Sequence, residues 1–249
     1  MRIDGATALV TGASSGIGRA TALELASRGA RLLVCGRDRR RLDAVARSTG
    51  AEAFVVDLAD RGQTDGLAQD LMDRPPVDLV VHNAGIGMSG AAESADQADI
   101  DGLLAVNVLA PMRLTQAVLP RMRARGQGHL VFVSSIAGVL GVPQEAHYAA
   151  SKGAVTLLAA SLRDELAHSG IGVTTVIPGV VRTSFFERRG EPYQRASPRP
   201  VSAELVARRL VRGVERELSE VVVPGWLRVP IALHATAPQL YARLARRWA

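Results

Sequence analysis

Lysine is almost absent from this sequence. Of its 30 basic residues 29 are arginine, and the one lysine is Lys152. Cysteine is as scarce. A single Cys35 excludes an internal disulfide, and its place in an apolar run predicts a buried structural thiol rather than a reactive one. No His/Cys cluster has metal-ligand spacing, so no metal is expected. No stretch reads as a secretory signal or an uninterrupted membrane span, which points to a cytoplasmic protein. Most of the chain also lacks an excess of either charge. Residues 1–184 hold 18 basic and 18 acidic groups, while residues 185–249 hold 12 and 6, so the net charge of +6 belongs to the last quarter. That argues against a nucleic-acid footprint and for a local basic surface.

What remains is a 249-residue chain, 47% hydrophobic and 22% charged, as suits a globular α/β protein. Short apolar runs alternate with longer helical stretches. Strands are predicted at about 6–11, 31–35, 52–56, 77–82, 129–134, 172–177 and 220–223. Helices are predicted at about 16–28, 38–48, 61–73, 99–125, 147–168 and 202–218. The strands are continuously apolar rather than alternating, as expected when helices cover both faces. Strand–helix repetition then gives right-handed crossovers and a doubly wound, mostly parallel seven-stranded sheet in a three-layer α/β/α sandwich. No linker or repeat divides it, so one domain over 1–249 is expected. Residues 184–200 depart from the pattern and read as a surface excursion or lid.

Two motifs carry chemistry. Thr11-Gly12-Ala13-Ser14-Ser15-Gly16-Ile17-Gly18 lies between the first strand and the first helix. Glycines there let the backbone turn tightly and approach a pyrophosphate, which sits on helix N–H groups and the positive end of the dipole. The second motif contains the lone lysine: Tyr148-Ala149-Ala150-Ser151-Lys152. On a helix these ends share a face. A neighbouring ammonium favours phenolate and lowers a phenol pKa normally near 10, so the tyrosine becomes a proton exchanger.

The Gly-x-x-x-Gly-x-Gly spacing and Tyr148-x-x-x-Lys152 together resemble the short-chain dehydrogenase/reductase family, in its classical branch, with a Rossmann-type fold. Further motifs fall in order over residues 6 to about 223. Asp57-Leu58 resembles the pair that contacts adenine. His82-Asn83-Ala84-Gly85 resembles Asn-Asn-Ala-Gly, with His82 as the departure. Pro178-Gly179-Val180-Val181-Arg182-Thr183 matches the segment that closes over the nicotinamide. The resemblance implies a catalytic set of Asn107, Ser135, Tyr148 and Lys152. Tyr148 would exchange the proton, and Lys152 would lower its pKa and hold the nicotinamide ribose. Ser135 would bind the substrate oxygen, and Asn107 would hold a water beside Lys152. Strand alternation sends Ser134 and Ser135 to opposite faces, and the thirteen-residue offset from Tyr148, as in many members, favours Ser135. His147 is set aside because it points elsewhere on the helix.

The end of the second strand chooses the nucleotide. NAD-using members place an acid there, but this chain has Gly36 and then Arg37. A guanidinium binds a 2′-phosphate through charge-assisted hydrogen bonds, so NADP(H) is favoured over NAD(H). Ser14 and Ser15 can add donors. Asp38 leaves an alternative open, since it can neutralise Arg37 or reach a ribose itself. The substrate pocket is expected around Ala137, Val142, Val180, Phe185 and Phe186. With Val139 and Leu140 these suggest an apolar ketone or aldehyde, while Arg188 and Arg189 offer charge for an anion. The C-terminal part, about 225–249, lacks the Val-Asp-Gly-Gly tetramer segment of many members, leaving a homodimer or a homotetramer. Its Leu240, Tyr241, Leu244 and Trp248 face opposite Arg243, Arg246 and Arg247, a helix that can dock on the protein, on a partner subunit or on an anionic membrane. Besides the NADP(H)-dependent reductase, an NAD(H)-dependent alcohol dehydrogenase and a non-catalytic nucleotide sensor remain open.

Overall fold

The computed structural model describes residues 1–190, 193 and 198–245. The main sheet contains β1 (Thr7–Thr11), β2 (Arg31–Gly36), β3 (Glu52–Val55), β4 (Leu79–His82), β5 (Gly128–Val133) and β6 (Ile171–Pro178). A small separate pair, β7 (Val181–Arg182) and β8 (Val201–Ser202), precedes the last strand, β9 (Glu220–Val223). The seven main strands are all parallel, in the order β3-β2-β1-β4-β5-β6-β9. Strand order reverses between β1 and β4, which opens a crevice at their carboxyl ends.

Successive strand residues face opposite helical layers, and both layers are apolar. Ala8, Val10, Val34 and Val81 pack with α1 (Gly16–Ser27), α2 (Arg39–Thr49) and α9 (Ala203–Glu215). Leu9, Cys35, Val80 and Phe132 pack with α3 (Arg61–Asp73), α5 (Ala110–Arg125) and α7 (Ala146–Glu165). This two-sided burial is why the strands read as unbroken apolar runs. Burial also pushes the Cys35 thiol up to about 12, so it is an inert packing group.

The helix expected over 99–125 is in fact three pieces: α4 (Gln97–Leu104), a wide π turn over Ala105–Leu109, and α5. Pro111 has no N–H to offer the Asn107 carbonyl, so the α ladder lacks a bond there. The Ala110 N–H instead donates five residues back, to Ala105 O. The continuous run Gln97–Arg125 is long and apolar enough to cross a membrane by length and composition, but half of its most apolar window is buried inside the protein. It reads as a core helix.

The remaining helices are α6 (Ala137–Leu140), α8 (Phe185–Arg188), α10 (Arg228–Thr236) and α11 (Pro238–Ala245). Ile231 of α10 packs against Ile177, Val222 and Leu227, so the start of the C-terminal segment lies on the body of the protein. The His234 and Tyr241 rings meet edge to face at 5.0 Å and join α10 to α11. Leu240 and Leu244 stay exposed, at 49% and 39%. Arg246, Arg247 and Trp248 lie outside the described residues, as do six positions of the 184–200 excursion.

Candidate active site

The crevice beside β1 and β4 is a cleft of about 1270 Å³. Its floor begins at the glycine turn. Gly12 has φ +65°, and a methyl there would lie 2.8 Å from Ala84 Cα. A methyl on Gly18 would lie 2.3 Å from Gly12 O. Asn83 locks this turn to the end of β4, since its side-chain amide donates to Thr11 O at 2.8 Å. The Thr11 hydroxyl accepts from the Asn83 and Ala84 N–H groups, both at 3.0 Å.

Helices α2, α3 and α9 begin with side-chain caps from Asp38, Asp60 and Ser202. Helix α1 does not: Ser15, at its N-cap, makes no capping bond. Its first-turn N–H groups therefore open into the cleft, where they suit an anion. Ser14, Ser15, Gly16, Ile17, Asp57 and Leu58 all line this part. Gly18 does not; it is the buried packing glycine beneath the turn. These residues fit a dinucleotide whose pyrophosphate rests on α1.

At the other end of the cleft, Ser135, Tyr148 and Lys152 converge, and all three are buried. Tyr148 and Lys152 both lie on α7, one turn apart. The Lys152 ammonium donates to Val133 O at 2.9 Å. Asn107 is fully buried behind Gly85 and does not line the cleft. Its Oδ1 accepts from Ile86 N–H at 2.9 Å, and its Nδ2 donates to Ile86 O at 3.0 Å and to Ser151 Oγ at 2.9 Å. A methyl on Gly85 would meet both Lys152 Nζ, at 3.1 Å, and Asn107 Oδ1, at 3.3 Å, so the two side chains flank one spot. Asn107 lies within the π turn. Ser134 Oγ bonds back to α7, through Lys152 O at 3.0 Å and Thr156 Oγ1 at 2.7 Å. Both serines lie past the end of β5 and both line the cleft, so strand alternation does not separate them; what differs is that Ser134 Oγ is tied back to α7.

The electrostatics differ from expectation. Burial pushes the Tyr148 phenol up to about 12, and the hydrogen-bonding Ser135 hydroxyl only partly offsets it. Burial also pulls the Lys152 ammonium down to about 8. Lys152 does not lower the tyrosine in the protein alone, because its charge is itself suppressed by desolvation and is directed at Val133 O.

The flanking residues sort clearly. Ala137, Val142, Val180, Phe185 and Phe186 line the cleft with Pro178, Gly179, Val181 and Thr183. Val139 and Leu140 do not. Val139 packs in the small cluster under α10, because α6 turns it toward the sheet edge. The Phe185 ring lies 5.5 Å from the Tyr148 ring and leans on Phe186. Arg189 is not free for an anion: it pairs with Glu145, and its guanidinium stacks 4.6 Å over Phe186. Asp38 leaves Arg37 alone; it caps α2 and pairs with Arg41 at 3.2 Å. The Arg189–Glu145 pair and Arg41 were missed in the sequence. Arg41 had a signal, since it follows Arg37 by four residues at a helix start. Glu145 and Arg189 are 44 apart and had none. His82, the departure from Asn-Asn-Ala-Gly, is buried outside the cleft, bonds Thr115 at 2.9 Å and stacks on Phe132 at 4.8 Å. The turn is held by Asn83 without it.

Comparison with known proteins agrees with this geometry. Residues 6–194 match the family model described as short chain dehydrogenase. An uncharacterized oxidoreductase of Myxococcus xanthus is 36% identical over 97% of this chain and 96% of its own. A short-chain dehydrogenase from Sphingobium yanoikuyae, solved in complex with NADPH, is 30% identical, with a TM-score of 0.83 over 97% of this chain and 94% of that one. A short-chain dehydrogenase/reductase from Burkholderia phymatum, solved in complex with NAD, is 25% identical, with a TM-score of 0.85 over 96% of each chain. With the turn over α1, the Tyr148–Lys152 helix and the reversed sheet, these matches identify the chain as a member of the short-chain dehydrogenase/reductase family, an oxidoreductase with a nicotinamide cofactor.

Proposed function

We propose that the chain is an NADP(H)-dependent reductase that interconverts an apolar ketone or aldehyde and its alcohol, with Tyr148 as general acid/base. The observation that carries this reading is the buried meeting of Ser135, Tyr148 and Lys152 at one end of a cleft whose other end presents α1 and Arg37. When bound, the nicotinamide supplies or accepts the hydride. The chain's own groups do the rest.

Burial keeps the phenol protonated across the neutral range. A neutral phenol donates to a carbonyl oxygen as negative charge grows there, which suits the reducing direction. Ser135, beside Tyr148, holds the same oxygen and stabilises that charge. Lys152, fixed to Val133 O, lies one turn below the phenol and can return a proton to it. Asn107 keeps the Ile86 backbone and Ser151 in place behind Lys152.

The substrate is apolar because the walls are. Phe185, Phe186, Val142, Val180 and Ala137 surround the reacting end, and the nearest charged pair, Glu145 with Arg189, neutralises itself. NADP(H) is favoured because Arg37 follows Gly36 where an acid would hold an unphosphorylated ribose, and Asp38 is engaged with Arg41. The reading treats residues 1–249 as one catalytic domain of a cytoplasmic homodimer or homotetramer. Exposed Leu104, Leu109, Met112 and Leu157, on the neighbouring α4–α5 run and α7, offer apolar surface for a second copy.

The test is loss of reduced-nicotinamide absorbance with NADPH and with NADH over a panel of apolar ketones and aldehydes. Turnover that prefers NADPH is expected. NADPH binding without turnover across the panel would favour the sensor reading.

A further inference from the structure

The two adjacent arginines at the end of α8 point to different jobs. Arg189 turns to Glu145 at the substrate end. Arg188 instead lines the same cleft as Arg37 and Arg41, near enough for their charges to act on it. The path of the chain explains this. The segment entering α8 crosses the start of α1, where a methyl on Gly16 would lie 3.1 Å from Thr183 Cγ2. The Thr183 hydroxyl then accepts from the Phe185 N–H at 3.3 Å, and the Arg188 N–H donates to Ser184 O at 3.1 Å. The Arg188 guanidinium folds back onto the Ser184 hydroxyl. Across the cleft, Ser14 sits beside Gly36, whose added methyl would be 3.4 Å from Ser14 Oγ.

Resting on the reading of a nicotinamide dinucleotide in this cleft, we propose that Arg188 completes a three-arginine site with Arg37 and Arg41 for the 2′-phosphate of NADP(H), so that the excursion covering Tyr148 also selects the nucleotide.

Charge counting supports a dianion. Among the described residues neither Arg37 nor Arg188 has an ion-pair partner, and Asp38, held by Arg41, is the one carboxylate paired to any of the three. Three guanidinia against one carboxylate leave two positive charges, which match a phosphate monoester carrying roughly −1.5 to −2 at neutral pH. Glu187 is exposed and does not line the cleft, and its charge offsets those of Arg41 and Arg37 on Arg188 only in part. The cluster is self-repelling as it stands: burial and then the charges of Arg41 and Arg37 pull the Arg188 pKa down. An anion between them relieves that repulsion, and the planar guanidinium fork fits phosphate oxygens in pairs.

The test is isothermal titration of the full chain with 2′,5′-ADP and with 5′-AMP, which differ by the 2′-phosphate alone. The wild type is expected to prefer 2′,5′-ADP. Arg188→Gln is expected to cut that preference by about tenfold, the scale of one charge-assisted contact, with 5′-AMP affinity unchanged. Arg188→Lys, which keeps charge but loses the fork, should fall between them and guards against a variant that simply misfolds. A wild type that binds both nucleotides equally would overturn the NADP(H) reading and the proposal together. A wild-type preference that survives Arg188→Gln intact would overturn the proposal alone. Equal loss of both ligands in Arg188→Gln would also overturn it, because the effect would not belong to the 2′-phosphate.

Discussion

The two ends of the cleft use charge in opposite ways. At the nucleotide end exposed arginines line the cleft, and among the described residues Arg37 and Arg188 have no ion-pair partner. At the reacting end, Tyr148 and Lys152 are buried, and desolvation pushes both toward their neutral forms, one up to about 12 and one down to about 8. The first end attracts a charged ligand by surplus charge. The second prepares a proton donor by withholding charge. Lysine serves the second purpose where arginine does not, because a buried ammonium can shift its pKa into range and a guanidinium stays charged. That accounts for the position of the only lysine in an arginine-rich chain.

The contrast can be broken most severely at the reacting end. Tyr148→Phe keeps the ring against Phe185 and removes the proton. If Tyr148 is the acid, kcat should fall about 10²- to 10⁴-fold while nucleotide binding stays near wild type. Stopped-flow absorbance and a nucleotide titration on the same sample would check both halves. At the other end, Arg37→Ala should reduce the NADPH-over-NADH preference in kcat/KM by about ten- to hundredfold, with little change in kcat. A large kcat loss there would mean the two ends are not separate.

A smaller effect tests burial itself. Lys152→Met removes a buried ammonium whose pKa is depressed from 10.5 to about 8. The unfolded chain keeps that proton up to the higher value, so the wild-type lysine destabilises fully below about pH 8 and less as pH rises toward 10.5. The shift corresponds to about 3 kcal/mol, partly offset by the lost bond to Val133 O of about 1 kcal/mol. The variant should therefore be inactive yet melt a few degrees higher at pH 7, with the gain fading by pH 10. A variant that melts lower would show that the Val133 bond outweighs desolvation.

The smallest effect concerns His82. Burial pulls this imidazole down to about 3, so the unfolded chain takes up a proton below about pH 6.5 that the folded protein refuses. Stability is lost as pH falls through that window, and buried His129, pulled down to about 4, adds to the loss. His82→Asn should lower the slope of unfolding free energy between pH 4 and 6 by up to one proton, about 1.4 kcal/mol per pH unit. Urea titrations across that range measure it. Activity should persist, since His82 lies outside the cleft.

Much of this was legible before any coordinates. Strand–helix alternation, the glycine turn and the pairing of Tyr148 with Lys152 follow from periodicities of 2 and 3.6 residues and from what glycine permits. Those are properties of neighbouring residues, so the sequence carries them. Segment ends were off by a residue or a few, and the break at Asn107 was passed over although Pro111 marked it.

By itself, then, the sequence determined the sheet, the nucleotide turn and the helical pairing of Tyr148 with Lys152, while Ser135 and Asn107 were singled out by the family resemblance. Tertiary structure alone decided that Val139 faces away from the cleft, that Asp38 serves Arg41, that Arg189 pairs with Glu145, and that the Tyr148 phenol rises rather than falls. Each of these depends on what packs around a group from distant parts of the chain, and desolvation and long-range charge have no period to read.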